Sequence, residues 1–255
     1  MLYMSKKITG TQRHYYKNLL SIGIPIVIGQ LGTIILGFAD TIMIGHHSTE
    51  ELAAAGLVNN IYTLVFVMYM GFTYGLTPII GRLYGEERID SIGQKVRNSL
   101  FANMLTGTLL SIALVVLYLS LSHIGQPEEL LALIRPYFIV NLVSVLFMGI
   151  FYTMKQFLDG VAETRVAMWV MIAGNVVNIF GNWLLIYGVA GFPELGLLGA
   201  GISTLLSRVL MAAAMVGIVI GRKKFAQYCH DILHSSITKV DFREMNRLGW
   251  PVALQ

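Results

Sequence analysis

One carboxylate and several amide side chains stand out because they lie within otherwise uncharged parts of the sequence. Asp40 lies near the outer end of the first predicted helix, directly after a long apolar stretch, and Asn175, Asn178 and Asn182 lie within a later stretch. Spacings of three and four residues place the asparagines on one face of a helix. Carboxylate, amide and hydroxyl oxygens are the ligands that hard cations prefer. Asp40, Asn178, Asn182 and Thr204 therefore form a candidate cation site.

Two interpretations of this set stay open. A charged side chain at membrane depth costs roughly 2.5–3.5 kcal/mol on insertion scales, and intramembrane acids usually have a function. Asp40 would then either hold a cation such as Na⁺ or take up a proton; the alternative is a structural residue near a helix end. Membrane asparagines also join helices without binding a ligand. The sequence predicts a coupling ion, Na⁺ or H⁺, and no other cofactor.

Arg208 is the basic residue within the sixth apolar stretch. Snorkelling towards the surface or bonding to a backbone carbonyl is the favoured interpretation, and a cavity for an anionic substrate is the alternative. Pro25 and Pro78 predict helix kinks. The sequence shows no metal-ligand cluster, phosphate-binding loop or nucleophile triad, so we expect no enzyme activity. Other polar residues that could line a cavity or join helices are Asn59, Asn60, Tyr62, Asn141 and Asn175.

The elements that position these residues follow from the distribution of charge. The 255-residue chain is 55% hydrophobic and 13% charged, where a soluble domain carries about 25% charged residues. A membrane-spanning helix needs about 20 apolar residues, whereas barrel strands have about 10 with strict alternation. We therefore predict an all-α polytopic membrane bundle of six transmembrane helices. The six stretches are Leu19–Ala39, Leu52–Gly81, Asn98–Pro127, Pro136–Met154, Val166–Pro193 and Leu195–Gly221.

The basic residues predict how the bundle is oriented. Sixteen of the 18 Lys and Arg residues lie in the N-terminal tail, in the connections after the second and fourth stretches, and after the sixth. The positive-inside rule then places both ends on the cytoplasmic side of the inner membrane. This bias accounts for the net charge of +4, so membrane lipid is the expected partner and nucleic acid is not.

A short repeat suggests a longer architecture. The sequence Gly-Ile-Pro at residues 23–25, followed by apolar residues and Gln30, resembles Gly-Trp-Pro at 249–251, followed by apolar residues and Gln255. An even number of spans separates the copies, as in parallel transporter repeats. We therefore expect a chain that is cut short and lacks a second lobe. The predicted domains are a cytoplasmic tail (1–18), a six-helix N-lobe (19–221), a cytoplasmic inter-lobe linker (222–245) and the start of a truncated seventh transmembrane helix (246–255).

Three segments resemble the MATE (multidrug and toxic compound extrusion) transporters. Pro25 with Phe38–Gly45 is similar to their first helix, Asn178–Gly188 to their fifth, and Gly196–Thr204 to the entry of their sixth. The resemblance implies one lobe of a two-lobe (6+6) transporter that exchanges Na⁺ or H⁺ for organic cations. It also implies that Asp40, Asn178, Asn182 and Thr204 match the N-lobe cation site.

Two departures from the family pattern bear on the coupling ion and on the loop after the fourth helix. Some members carry Asp where this chain has Asn182, so the site has one less charge. Ala162-Glu163-Thr164-Arg165 replaces the usual Gly-Asp-Thr-Arg. The resulting expectation is half of a secondary antiporter that exports organic cations or drugs. The alternatives are a lipid or polysaccharide flippase of the same superfamily and a non-transporting membrane scaffold.

Overall fold

The computed structural model describes residues 10–123, 125 and 127–253. Residues 1–9 of the predicted tail and residues 254–255 of the predicted seventh helix lie outside these ranges. The described residues contain helices and no strands. The helices are α1 (Gly10–His47), α2 (Thr49–Tyr74), α3 (Leu76–Gly85), α4 (Ile92–Ser120), α5 (Glu128–Gly160), α6 (Thr164–Ile186), α7 (Gly196–Gly221), α8 (Ala226–His234) and α9 (Lys239–Ala253).

Six spans are long and apolar enough to cross a bilayer, with α2 and α3 forming one of them. This confirms the predicted six-helix membrane bundle. Helix α5 lies at its centre and packs against α2, α4 and α7, while α6 packs against α1 and α7. Small residues allow these close approaches. A Cβ at Gly149 would lie 1.8 Å from Tyr69 Oη, and one at Gly181 would lie 2.4 Å from Ser203 Oγ.

The two predicted proline kinks have different outcomes. The second span breaks at Gly75, three residues before Pro78. Proline has no N–H, so the helical hydrogen bond to the carbonyl of Tyr74 is missing. Helix α1 runs continuously through Pro25, and its predicted kink stays a prediction.

Helix α5 is longer than its uncharged stretch. It begins at Glu128 and ends at Gly160, so Lys155 and Asp159 belong to the helix rather than to the connection after it. The uncharged stretch is shorter than the helix because Lys155 and Asp159, four residues apart, pair with each other and are buried together. Asp159 is consequently an acidic side chain within the membrane helices in addition to Asp40.

The segment after α7 folds back onto the bundle. Helix α9 starts at Lys239, seven residues before the predicted start of a seventh membrane helix at 246. Thr238 Oγ1 accepts a hydrogen bond from Asp241 N at 3.2 Å, which is the capping interaction that begins a helix. The predicted linker of 222–245 therefore contains α8 and the first turns of α9.

Polar contacts hold α9 to the start of α4. Lys95 Nζ lies 2.7 Å from Asp241 Oδ1 and also contacts Glu244. Asn98 Oδ1 accepts a hydrogen bond from Thr238 N at 2.8 Å. The start of α9 is thus fixed to α4 by two ion pairs and a hydrogen bond from the backbone to a side chain.

Two glycines bring α9 against the break in the second span. A Cβ at Gly249 would lie 2.7 Å from Phe72 Cδ2 and 2.8 Å from Phe72 O, and one at Gly75 would lie 3.0 Å from Gly249 N. The rings of Phe72 and Trp250 pack edge to face at 5.5 Å. Helix α9 approaches α2 closely because Gly75 and Gly249 have no side chains at the crossing.

Candidate cation site and central cavity

The four predicted cation-site residues form one hydrogen-bonded chain across α1, α6 and α7. Asp40 Oδ1 accepts from Asn182 Nδ2 at 2.6 Å. The same Asn182 nitrogen lies 3.2 Å from the Asn178 amide, and the Asn178 amide lies 3.1 Å from Thr204 Oγ1. Both asparagine side chains are fully buried. The fold thus brings together residues that are up to 164 positions apart in the sequence.

Two serines that sequence reasoning did not single out support the asparagines. Ser203 Oγ donates to the backbone carbonyl of Asn178 at 2.7 Å, and Ser207 Oγ lies 3.5 Å from Asn178 Nδ2. Gly181 allows the approach because its missing Cβ leaves room for Ser203. Ser203 and Ser207 are four residues apart and flank Thr204, a helical spacing that could have indicated them.

The hydrogen-bonding partners of the Asn178 amide decide which of its two ends faces Asp40. An oxygen at that end would lie 2.9 Å from Asp40 Oδ1, and two acceptors would face each other. With the nitrogen there, the amide donates to Asp40 Oδ1 and its oxygen accepts from Thr204 Oγ1 at 3.1 Å. This assignment satisfies both ends of the amide, so both asparagines can donate to the Asp40 carboxylate.

One further oxygen at the site has no partner. Asn182 Oδ1 is buried and accepts no hydrogen bond from the described residues. Leaving a buried acceptor unsatisfied costs about 1–3 kcal/mol, and such a group calls for an explanation. An unpartnered amide oxygen beside a carboxylate fits a hard monovalent cation, for which Asp40, Asn178, Asn182 and Thr204 are the candidate ligands.

Asp40 also lies on the wall of a cavity of about 360 Å³ between α1, α2, α5 and α7. Arg208 lies on the same wall and donates a hydrogen bond to Ser144 Oγ. The arginine is therefore held inside the bundle and does not snorkel to the surface. The remaining lining residues are Thr33, Leu36, Gly37, Thr41, Asn59, Tyr62, Thr63, Val65, Phe66, Asn141, Val145 and Met148.

The structure distributes the five predicted cavity residues over three places. Asn59, Tyr62 and Asn141 lie on the wall of the large cavity. Asn175 lines an adjoining cavity of about 90 Å³, which shares Arg208 with the large one. Asn60 lines neither of these cavities and is exposed on α2.

A second buried charged group, not predicted from the sequence, lies near the end of α5. Lys155 Nζ is 2.6 Å from Asp159 Oδ2, and the side chains are only 4% and 5% exposed. Asp159 Oδ1 and the neighbouring Gln156 Nε2 have no hydrogen-bond partner among the described residues, while Gln156 Oε1 accepts from Thr77 Oγ1 at 2.6 Å. The four-residue spacing of Lys155 and Asp159, which places them on one face of a helix, could have indicated the pair.

Fold and site together define a multi-pass α-helical membrane protein with a carboxylate–amide site beside an internal cavity, which is the architecture of a secondary transporter lobe. The MatE family model matches residues 25–184. The chain belongs to the MatE family, and this confirms the resemblance to the MATE transporters.

Curated relatives carry multidrug-resistance names. The protein named "Probable multidrug resistance protein NorM" from Photorhabdus laumondii is 30% identical over 215 residues, covering 84% of this chain and 48% of that protein. The "Multidrug resistance protein NorM" of Vibrio cholerae is 27% identical over 245 residues, covering 94% and 53%. This chain spans about half the length of these relatives.

Solved structures share the fold. A crystal structure of MATE in complex with MaD5 has a TM-score of 0.83 at 24% identity, covering 93% of this chain and 53% of that one. A transporter of the MOP superfamily from Pyrococcus furiosus, described as having a binding pocket of reverse polarity, has a TM-score of 0.80 at 23% identity, covering 93% and 52%. At these identities the likeness concerns the fold alone.

Proposed function

We propose that this chain is the N-terminal lobe of an antiporter that exports organic cations in exchange for Na⁺ or H⁺, with Asp40 as the residue on which the coupling ion acts. The observation that carries the proposal is the Asp40–Asn182 contact. It joins a half-buried carboxylate to an amide whose own oxygen has no partner among the described residues. The multidrug-resistance names of the curated relatives support the substrate class.

The positions of Asp40 and Arg208 suggest how ion and substrate exclude each other. With Asp40 ionised, the cavity wall carries one negative and one positive side chain, and an organic cation can pair with the carboxylate. When Na⁺ or H⁺ neutralises Asp40, the cavity wall still carries the positive charge of Arg208. The wall then has a net positive charge, which repels a cationic substrate. Ion binding and substrate release are then coupled, as exchange requires.

Coupling to helix movement needs one further condition. An ion changes the balance between two arrangements only as far as its affinity differs between them. Asp40 on α1 contacts α6 through Asn182, so neutralising the carboxylate alters the α1–α6 contact. A second six-helix lobe is the expected partner, because alternating access moves one repeat against the other.

The proposed setting is the inner membrane, with the N-terminus and the segment after α7 on the cytoplasmic side. The distribution of Lys and Arg supports this orientation.

A flippase for an anionic substrate is the weaker candidate. Arg208 is the observation in its favour, since it is the cation on the cavity wall. Asp40 on the same wall offsets that charge, and the Arg208 guanidinium already donates one hydrogen bond to Ser144 Oγ.

The test is export of a fluorescent organic cation, ethidium, from loaded cells by a transporter that carries this lobe together with a second one. We expect Asp40→Asn to leave expression unchanged and to abolish ion-driven export. Export at the parent rate by Asp40→Asn, with the ion gradient intact, would refute the proposal. Asn60→Ala is the matched control because its side chain is exposed and lies off the cavity wall.

A further inference from the structure

Two apolar grooves on the outer surface meet at the start of α6. The α6–α7 groove, of about 520 Å³, is lined by Val166, Val170, Ala173, Gly174, Val177, Leu210, Met211, Ala214 and Ile218, with Glu163 and Arg222 at one end. The α1–α6 groove, of about 360 Å³, is lined by Leu20, Ser21, Ile24, Pro25, Ile28 and Met168. Arg165 and Trp169 line both grooves. The two grooves therefore flank one arginine and one tryptophan, whose side chain is 63% exposed.

The charged groups are gathered at one end of the α6–α7 groove. Arg165 starts α6 and Arg222 follows α7 directly. Glu163, the one acid on the groove wall, is already paired with Lys224. Among the residues that the structure describes, neither Arg165 nor Arg222 has an acidic partner within 4 Å. The groove thus has two cationic groups at its mouth and apolar walls beyond them.

The length of the groove matches one leaflet of a bilayer. Each groove wall is twelve residues long, from Arg165 to Val177 on α6 and from Leu210 to Arg222 on α7. At 1.5 Å per residue, each wall is about 18 Å long. The hydrocarbon core of a bilayer is about 30 Å thick, so one leaflet contributes about half of that. An apolar groove of this length with cations at its mouth has the charge and shape complementary to a lipid acyl chain and its anionic headgroup.

We infer that this face binds an anionic phospholipid, with its phosphate against Arg165 and Arg222 and its two acyl chains in the two grooves on either side of Trp169. Basic pockets at the ends of membrane helices on the cytoplasmic side recognise anionic headgroups in this way. The paired grooves account for two chains on one headgroup. The inference concerns a surface away from Asp40 and does not depend on ion coupling.

The expected selectivity follows from the two charges. Each Lys or Arg near the membrane surface favours an anionic over a zwitterionic headgroup by about fivefold, so two arginines predict a preference of about 25-fold. Salt screens exposed charges over about 10 Å at 0.1 M and about 3 Å at 1 M. The preference therefore falls steeply at high salt, whereas the apolar contribution of the chains does not.

Trp169 provides a direct readout at the proposed site. The chain has three tryptophans. The substitutions Trp183→Phe and Trp250→Phe give a parent in which Trp169 is the single tryptophan. This parent is reconstituted in phosphatidylcholine nanodiscs that contain a small fraction of either brominated phosphatidylglycerol or brominated phosphatidylcholine. Bromine on an acyl chain quenches only a nearby indole, so quenching reports which lipid occupies the grooves.

We expect brominated phosphatidylglycerol to half-quench Trp169 at a mole fraction about 25-fold lower than brominated phosphatidylcholine, and 1 M salt to erase most of the difference. Arg165→Gln with Arg222→Gln should equalise the two lipids. Arg88→Gln with Arg243→Gln removes two exposed cations elsewhere and should leave the preference intact. Ala173→Phe, which fills the groove but keeps its charges, should reduce quenching by both lipids.

Two results would overturn the inference. Equal quenching by both lipids in the parent would mean that the arginines select no headgroup. Absence of quenching by either lipid would mean that protein, and not lipid, covers this face. If the double arginine variant fails to fold, the salt titration and Ala173→Phe decide the question on proteins that keep both arginines.

Discussion

The carboxylate of Asp40 on α1 and the amide of Asn182 on α6 are 2.6 Å apart, a contact between residues separated by 142 positions in the sequence. It lies where the cation site meets the cavity, because Asp40 belongs to both. Any group that neutralises Asp40 therefore changes the α1–α6 contact and the charge of the cavity at once.

The amide and hydroxyl ligands provide a test of which ion is used. If the ion is Na⁺, Asn178→Ala and Asn182→Ala should each raise the Na⁺ concentration for half-maximal export, by about tenfold, because each removes an oxygen from a buried site. Thr204→Val should act in the same direction. If the ion is H⁺, export in a pH gradient without Na⁺ should depend on Asp40 and change little in these variants.

The appropriate readout is ethidium export in vesicles with either a Na⁺ or a pH gradient imposed. Asn60→Ala is the control, since Asn60 is exposed and lies outside both the cation site and the cavity wall. Loss of export with Asn178→Ala under both gradients would instead indicate that the amide is needed for helix packing.

Breaking the buried Lys155–Asp159 pair should destabilise the chain, whereas replacing both residues with apolar ones should not. Removing one partner of a buried ion pair destabilises a protein by about 3–5 kcal/mol, whereas replacing both with apolar residues is often neutral or stabilising. We therefore expect Lys155→Ala to lower the thermal unfolding temperature of the chain in detergent, and Lys155→Met with Asp159→Leu to restore it.

The control for this pair is Arg88→Ala, which breaks an exposed contact to Glu86 at 3.6 Å with side chains that are 60% and 47% exposed. Exposed pairs contribute about 0–1 kcal/mol, so its unfolding temperature should stay near that of the parent. A similar small effect for Lys155→Ala would show that water reaches the pair.

The crossing of α9 over α2 should tolerate no added side chain. Gly249→Ala places a Cβ 2.8 Å from the backbone oxygen of Phe72, an atom that cannot move aside without shifting the helix. We expect a destabilisation of about 1–3 kcal/mol, with α9 released from α2. Limited trypsin digestion should then cut faster at Arg243 and Arg247.

Gly217→Ala is the matched control, because a Cβ there meets nothing within 4 Å. Alanine is favoured over glycine inside a helix by about 0.5–1 kcal/mol, so this variant should be as stable as the parent or more so. Unchanged digestion of Gly249→Ala would mean that the glycine contact does not hold α9 in place.

Cys229, the one cysteine of the chain, tests the orientation in the membrane. A membrane-impermeant maleimide should fail to label it in intact cells and should label it after permeabilisation, because the segment after α7 is proposed to be cytoplasmic. Burial raises the pKa of the Cys229 thiol, and its Sγ lies 3.1 Å from the backbone oxygen of Val219. The thiolate is the reactive form, so labelling should be slow at pH 7 and accelerate as the pH rises.

Cys229→Ser controls for reaction at other groups. In that background His46→Cys, at the exposed C-terminal end of α1 on the opposite side, should label in intact cells. Labelling of Cys229 itself in intact cells would reverse the proposed orientation.

The apolar stretches and the isolated Asp40 were sufficient to predict six spans and to identify the four residues that the fold joins. Charge patterning failed where charges satisfy one another. Lys155 and Asp159 follow the uncharged stretch Pro136–Met154, and a single sequence cannot distinguish a buried ion pair from two solvated charges. The inward position of Arg208 depends on Ser144, 64 residues away, and Thr238 caps α9 before the apolar pattern begins.

The cation site draws its ligands from three helices, with Asp40 on α1, Asn178 and Asn182 on α6, and Thr204 on α7. Displacing any one of these helices separates the ligands, so the affinity for the ion falls with it. Ion affinity is thus a gauge of helix arrangement. The arrangement that binds the ion more tightly is the one that the ion populates.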